Sequence, residues 1–189
     1  MPHISLGNEE FGIRSLFMYR PETGRPMSML ADVLLRGPSA LPRGERELIA
    51  AYVSSLNDCS YCTASHSAFA AAQLPEGMTL VDQVCADPDT APVTPKLAAL
   101  LRIAGAVQQS GKAVRAEDIE LARKEGATDL EIHDTVLIAA VFCMTNRYVD
   151  GLATNVRADP AAYAKIAPVI INNGYMAILG SAGSPQAAQ

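Results

Sequence analysis

The sequence predicts an all-α protein: one domain, a bundle of about seven or eight helices. Three observations predict it. Apolar residues recur at helical spacing in one segment after another. No stretch shows the strict alternation of a half-buried strand. Capping or breaking residues bound nearly every periodic segment. At 189 residues, 49% apolar, the chain is long enough to bury a core as a single unit.

Residues 1–27 contain Gly7, Gly12, Pro21, Gly24 and Pro26. They read as an extended N-terminal arm with a short apolar anchor at Leu16-Phe17-Met18. The helical domain then spans 28–179. Ser28 caps a first helix carrying Met29, Leu30, Val33, Leu34 and Leu35, which Gly37-Pro38 ends. Pro42 opens a second helix, where its missing N–H is no loss, and Asn57-Asp58 turns the chain. A third helix runs from about Cys59 to Gln73, and a short fourth covers Met78 to Cys85. The three prolines of 87–95 mark the largest loop. Lys96–Gln109, Ala116–Glu125 and a long helix capped by Thr128 or Asp129 follow, the second with acids first and bases last. Asp159-Pro160 starts a last helix that Pro168 is expected to kink or divide. Residues 180–189 read as a flexible tail.

Charge excludes some functions. Fifteen basic against twenty acidic residues give a net charge of −5, with no basic run, so nucleic acid is a poor partner. No segment has the roughly 18 uninterrupted apolar residues of a membrane span. The N-terminus shows no secretory signal, and a cytoplasmic location is expected.

Chemistry concentrates in Cys59-Ser-Tyr-Cys62-Thr-Ala-Ser-His66. At about 100° per residue, Cys59, Cys62 and His66 share one helix face. A helix N-terminus favours thiolate. Glu47, on the preceding helix, can fold back to orient His66 as a base. Two thiols three residues apart can cycle between dithiol and disulfide. The same four residues are also a possible zinc donor set, although no second cysteine pair completes a structural site. Cys85 and Cys143 read as small core residues, His133 as a surface residue and His3 as part of a mobile terminus.

The pattern Glu47-x6-Ser54-x2-Asn57-x-Cys59-x-Tyr61-Cys62-x3-His66 resembles the core motif of the alkylhydroperoxidase D-like branch of the carboxymuconolactone decarboxylase superfamily. Arg46-Glu47 and Phe142-x3-Asn146-Arg147-x2-Asp150-Gly151-Leu152 resemble its peroxidase-related subgroup, and the likeness covers about residues 12–178. The resemblance implies an all-α homo-oligomer reducing hydroperoxides. By position, Cys62 attacks the peroxide. Cys59 resolves and is the thiol exposed to a reductant. His66 and Glu47 relay the proton. Tyr61 stands where family peroxidases can carry a histidine. Asn57, Tyr61 and Arg147 are supporting residues; Arg147 either holds the thiols anionic or, the favoured reading, is a buried or interfacial arginine pairing with an acid such as Asp150. The implied reductant is a thiol or lipoyl-type partner, with no metal and no bound cofactor. Lactone-decarboxylating relatives lack the cysteine pair. Two alternatives stay open: a disulfide reductase or redox sensor without peroxidase turnover, and a non-catalytic helical oligomer with a Cys/His metal site.

Overall fold

The computed structural model describes residues 1–179, so the tail expected at 180–189 lies outside the described residues. Within them the chain forms α1 (Gly12–Tyr19), α2 (Pro21–Arg36), α3 (Arg43–Leu56), α4 (Ser60–Ala71), α5 (Met78–Ala86), α6 (Pro95–Gln109), α7 (Ala116–Lys124), α8 (Asp129–Gly151) and α9 (Ala161–Asn173). Two 3₁₀ segments, Gly111–Ala113 and Tyr175–Leu179, complete it, and no strand occurs among the described residues. Among the described residues no helix is long and apolar enough to cross a membrane.

The central element is α3. Every residue from Arg46 to Ser54 is buried, and the helix packs against α4, α5, α6 and α8. A helix surrounded on all sides needs partners for any charge it carries. Arg46 donates from Nη1 to the Leu34 carbonyl at 2.9 Å, and Glu47 is the subject of the next section. The long helix α8 begins at a reciprocal cap. Thr128 Oγ1 accepts from Glu131 N at 3.2 Å, and Glu131 Oε2 accepts from Thr128 N at 2.7 Å.

The N-terminal region differs from expectation. Residues 12–19 and 21–36 are helical, so there is no extended arm up to residue 27, and Ser28 lies buried inside α2 rather than capping it. The glycines and prolines that suggested a loop serve packing instead. Pro21 sits in the first turn of α2, where no N–H is needed. Gly24 is where Phe17 crosses: a Cβ there would lie 2.7 Å from Phe17 Cβ. Because α2 absorbs the helix expected from Ser28, α1 is the one addition, and the described residues hold nine α-helices. Further on, α4 stops at Ala71, two residues early, and α9 runs undivided through Pro168.

Candidate functional site: a dithiol and a Glu–His pair across two helices

The turn between α3 and α4 builds the site. Asp58 takes φ of +55°, and the Cys59 N–H reaches back to the Ser54 carbonyl at 3.1 Å. Cys59 then stands as the N-cap of α4 with extended backbone, its carbonyl accepting from Thr63 N at 2.9 Å. This reversal lays α4 against α3 and brings Glu47 to His66. His66 Nδ1 lies 2.7 Å from Glu47 Oε2. A carboxylate only accepts, so Nδ1 carries the proton. Both residues are buried, Glu47 to 1% exposure.

A third member comes from the far end of the chain. The Tyr175 hydroxyl donates to Glu47 Oε1 at 2.6 Å and lies 3.5 Å from His66 Nδ1. Burial, then the adjacent Glu47 charge, pushes the Tyr175 phenol well above its usual range. Aromatic rings fix the imidazole: Phe142 and Phe69 meet it edge-on and Tyr175 stacks along it.

The thiols lie one turn earlier. Cys59 is 0% and Cys62 1% exposed, within a small cluster of Val149, Ile13 and Tyr61. The expectation that Cys59 faces a reductant is therefore not met in this state, because α1 lays Ile13 over the pair. Nor is Cys62 poised as a thiolate. The adjacent Cys59 thiol and then burial push it well above the ordinary thiol range, opposed by a hydrogen bond from Asn146. A partial charge at a helix terminus is the weaker effect in so dry a place. Among the described residues no hydrogen bond joins His66 to either sulfur.

Asn57 has a structural place in this arrangement. Its Nδ2 donates to Asn146 Oδ1 at 2.8 Å, while Asn146 Nδ2 donates to Ser54 Oγ at 3.1 Å and Gln108 donates to Asn57 Oδ1 at 3.0 Å. This ties the turn to α6 and α8 beside Cys62. Arg147 is exposed and donates to the Cys143 carbonyl at 2.9 Å. One residue along α8 turns its side chain outward, away from the thiols, and leaves Asn146 inward.

A largely apolar cavity of about 100 Å³ opens beside His66. α1 contributes Ile13 and Phe17, α2 contributes Ser28, and Tyr61, His66 and Tyr175 close the inner end. Tyr61 separates it from the sulfurs, packing on the cysteines and on Tyr163, whose ring centroid is 5.8 Å away. Burial, then the Cys62 thiol, raises the Tyr61 phenol. Ser28 Oγ, in the wall, has no partner among the described residues. No three His, Cys, Asp or Glu side chains among those residues come together in a metal-ligating group.

Sequence reasoning missed Tyr175, the inward role of Asn146 and the cover supplied by Ile13. Asn146 had a signal, since it stands in the stretch that resembles the peroxidase-related subgroup. Tyr175 had none.

Residues 21–106 match the carboxymuconolactone decarboxylase family, a span that holds Glu47, Cys59, Cys62 and His66. A solved structure of an uncharacterized peroxidase-related protein from Silicibacter sp. TM1040 is similar over 80% of this chain and 78% of its own, at 27% identity and a TM-score of 0.72. Another, an alkylhydroperoxidase AhpD core described as an uncharacterized peroxidase-related protein from Ralstonia eutropha JMP134, is similar over 79% and 76%, at 27% identity and 0.72. No curated protein matches the sequence. The resemblance read from the Glu-to-His motif is borne out, and so is the all-α fold.

Proposed function

We propose that the protein is a thiol-dependent, peroxidase-like oxidoreductase that cycles Cys59 and Cys62 between dithiol and disulfide. The observation that carries this reading is the Glu47–His66 hydrogen bond of 2.7 Å, placed one helical turn from a paired dithiol. In the first step His66 takes the Cys62 proton. The thiolate attacks the terminal peroxide oxygen, the O–O bond breaks, and Cys62 becomes a sulfenic acid while the alcohol or water leaves with the proton. In the second, the Cys59 thiol displaces water from that sulfenic acid and the disulfide forms. A dithiol reductant of thiol or lipoyl type restores the pair, taking the disulfide in exchange. The cavity volume bears on substrate size. About 100 Å³ is below the roughly 150 Å³ that accommodates a benzene. Hydrogen peroxide or a small organic hydroperoxide suits it. Because the thiols are covered at rest, the reading requires α1 or Tyr61 to move during each cycle. Assembly as a homo-oligomer is part of the proposal.

One observation favours a second reading. Sulfurs this buried, with Cys62 held protonated, suit a slow redox sensor or disulfide reductase. The four-ligand metal reading is weakened by geometry, since both Glu47 oxygens are already engaged, Oε2 by His66 and Oε1 by Tyr175. Thiol mass mapping after one equivalent of peroxide separates the first two. The peroxidase reading expects a Cys59–Cys62 disulfide within seconds and continuous peroxide consumption with a dithiol, both lost in Cys62→Ser. A disulfide that forms without turnover selects the sensor, and free thiols throughout remove both.

A further inference from the structure

We infer that Tyr175 is a positioning residue for the Glu47–His66 pair, holding Glu47 Oε1 so that Oε2 keeps the His66 Nδ1 proton and Nε2 is the nitrogen left to act as base. This deepens the proposed function and rests on it for its catalytic consequence, although the effect on His66 itself does not depend on peroxide chemistry.

The placement of Tyr175 is built from three sides. The chain leaves α9 at Gly174, with φ of +85°, and a Cβ there would lie 2.6 Å from Asp32 Oδ1. Asp32, on α2, then accepts from two successive backbone N–H groups, Tyr175 at 2.8 Å and Met176 at 3.2 Å. Arg36 anchors Asp32 at 3.3 Å and donates to the carbonyls of Ile170 and Ile171 at the end of α9. This arrangement aims one side chain inward, and its hydroxyl ends on a carboxylate. A phenol so fully buried, against a negative oxygen, remains a donor at any ordinary pH.

Glu47 then has one donor on each oxygen, which fixes the carboxylate against rotation. Without the hydroxyl, Oε1 becomes a buried acceptor with no donor. A proton on Glu47 relieves that. A protonated Glu47 donates to Nδ1, the imidazole proton moves to Nε2, and the base is lost. The other charged and titratable groups facing the pair are Arg46 beside Glu47, Asp32 and Arg36 from α2, Cys62 on α4, and Tyr61, Tyr163, Glu10, Arg14 and Arg157 around the cavity; α8 presents the Phe142 ring. None of these occupies Oε1.

The test reads the His66 ring nitrogens by NMR in reduced, peroxide-free protein. In the wild type the neutral ring is expected to carry its proton on Nδ1. In Tyr175→Phe the tautomer shifts toward Nε2–H. The rate of peroxide reaction falls about tenfold. A folded Tyr175→Phe with the wild-type tautomer overturns the inference. If that variant does not fold, Asp32→Asn keeps the phenol but loosens its two backbone anchors. A smaller shift in the same direction supports the inference, and an unchanged His66 overturns it. If His66 responds while the wild type turns over no peroxide, the peroxidase reading fails and the positioning role stands.

Discussion

The two ends of the site along α4 are built on opposite principles. At its start, Cys59 and Cys62 lie in a dry apolar cluster closed by Ile13 from α1 and Val149 from α8. Two turns from Cys59, His66 sits in a polar knot in which both Glu47 oxygens and the imidazole Nδ1 have partners within 2.7 Å. The imidazole end is assembled and rigid. The thiol end is assembled but shut, and the Cys62 thiol is pushed well above its ordinary range. On the proposed function, the difference places the barrier to reaction in access and deprotonation at the sulfurs, not in construction of the base. A buried polar knot costs free energy unless every member is satisfied, whereas an apolar cover over two thiols can open without orphaning a charge.

Breaking the polar end has the largest expected effect. Glu47→Gln keeps the shape but replaces a charged acceptor with an amide. The peroxide rate is expected to fall about 100-fold, as for loss of a general-base partner. Stability is expected to drop by about 1–3 kcal/mol, because the Tyr175 hydroxyl and His66 lose a charge-assisted bond. Stopped-flow kinetics and urea unfolding read the two effects. A rate within twofold of wild type sinks the view that this end supplies the base.

The thiol end responds to its cover. Gly12 has φ of +53°, and a Cβ there would lie 2.3 Å from the Tyr61 ring. Gly12→Ala therefore strains the backbone and pushes α1 and Tyr61 apart, a local penalty of about 1–3 kcal/mol. If opening of α1 limits access, alkylation of Cys59 and Cys62 accelerates roughly 10- to 100-fold, since each 1.4 kcal/mol is a factor of about ten in the open population. The His66 tautomer should stay as in the wild type. Equal alkylation rates in variant and wild type would mean that reagents reach the sulfurs by another route.

How much of this contrast the sequence makes legible follows from how local each part is. Glu47, the Asn57-Asp58 turn, Cys59, Cys62 and His66 all lie within twenty residues, and helical phase plus one turn predicts their meeting. Tyr175 reaches His66 from 109 positions away, next to a polar tail, and carries no motif. The cover over the sulfurs depends on Ile13, in a segment whose glycines and prolines suggested a loop. Gly24 is small because Phe17 needs the space, and periodicity cannot separate that from flexibility. Arg147 and Asn146 are neighbours in a familiar stretch, and only the rotation of α8 decides which faces the thiols.

The two ends also differ in pH dependence. Cys62 is raised in the fold, by Cys59 beside it and by burial, while an unfolded thiol titrates near 8.5. Above about pH 8.5 the unfolded chain therefore releases a proton that the folded chain keeps. Stability that is complete below that pH is lost as pH rises toward the folded value, by up to about 1.4 kcal/mol per unit. Cys85, raised by burial, adds to the slope. Tyr175 contributes only above about pH 10, where an unfolded phenol ionises. Unfolding free energies between pH 7.5 and 9.5 should decline in the wild type and decline less in Cys62→Ser. Parallel slopes in the two proteins would show that Cys62 ionises as freely in the fold as outside it.

The smallest effect is the one that tells local opening from global unfolding. Thr128 caps α8, and neither Thr128 nor Glu131 lines the cavity or touches the sulfurs. Thr128→Ala removes one side of the cap and should cost about 1 kcal/mol. That multiplies the globally unfolded population about fivefold. If the thiols are reached only when the whole chain unfolds, alkylation of Cys62 under native conditions rises by that same factor. If they are reached when α1 lifts, the rate does not change, because the cap of α8 plays no part in that motion. An unchanged alkylation rate in Thr128→Ala beside an accelerated one in Gly12→Ala assigns access to α1. A matched increase in both returns the thiol end to the cooperative core.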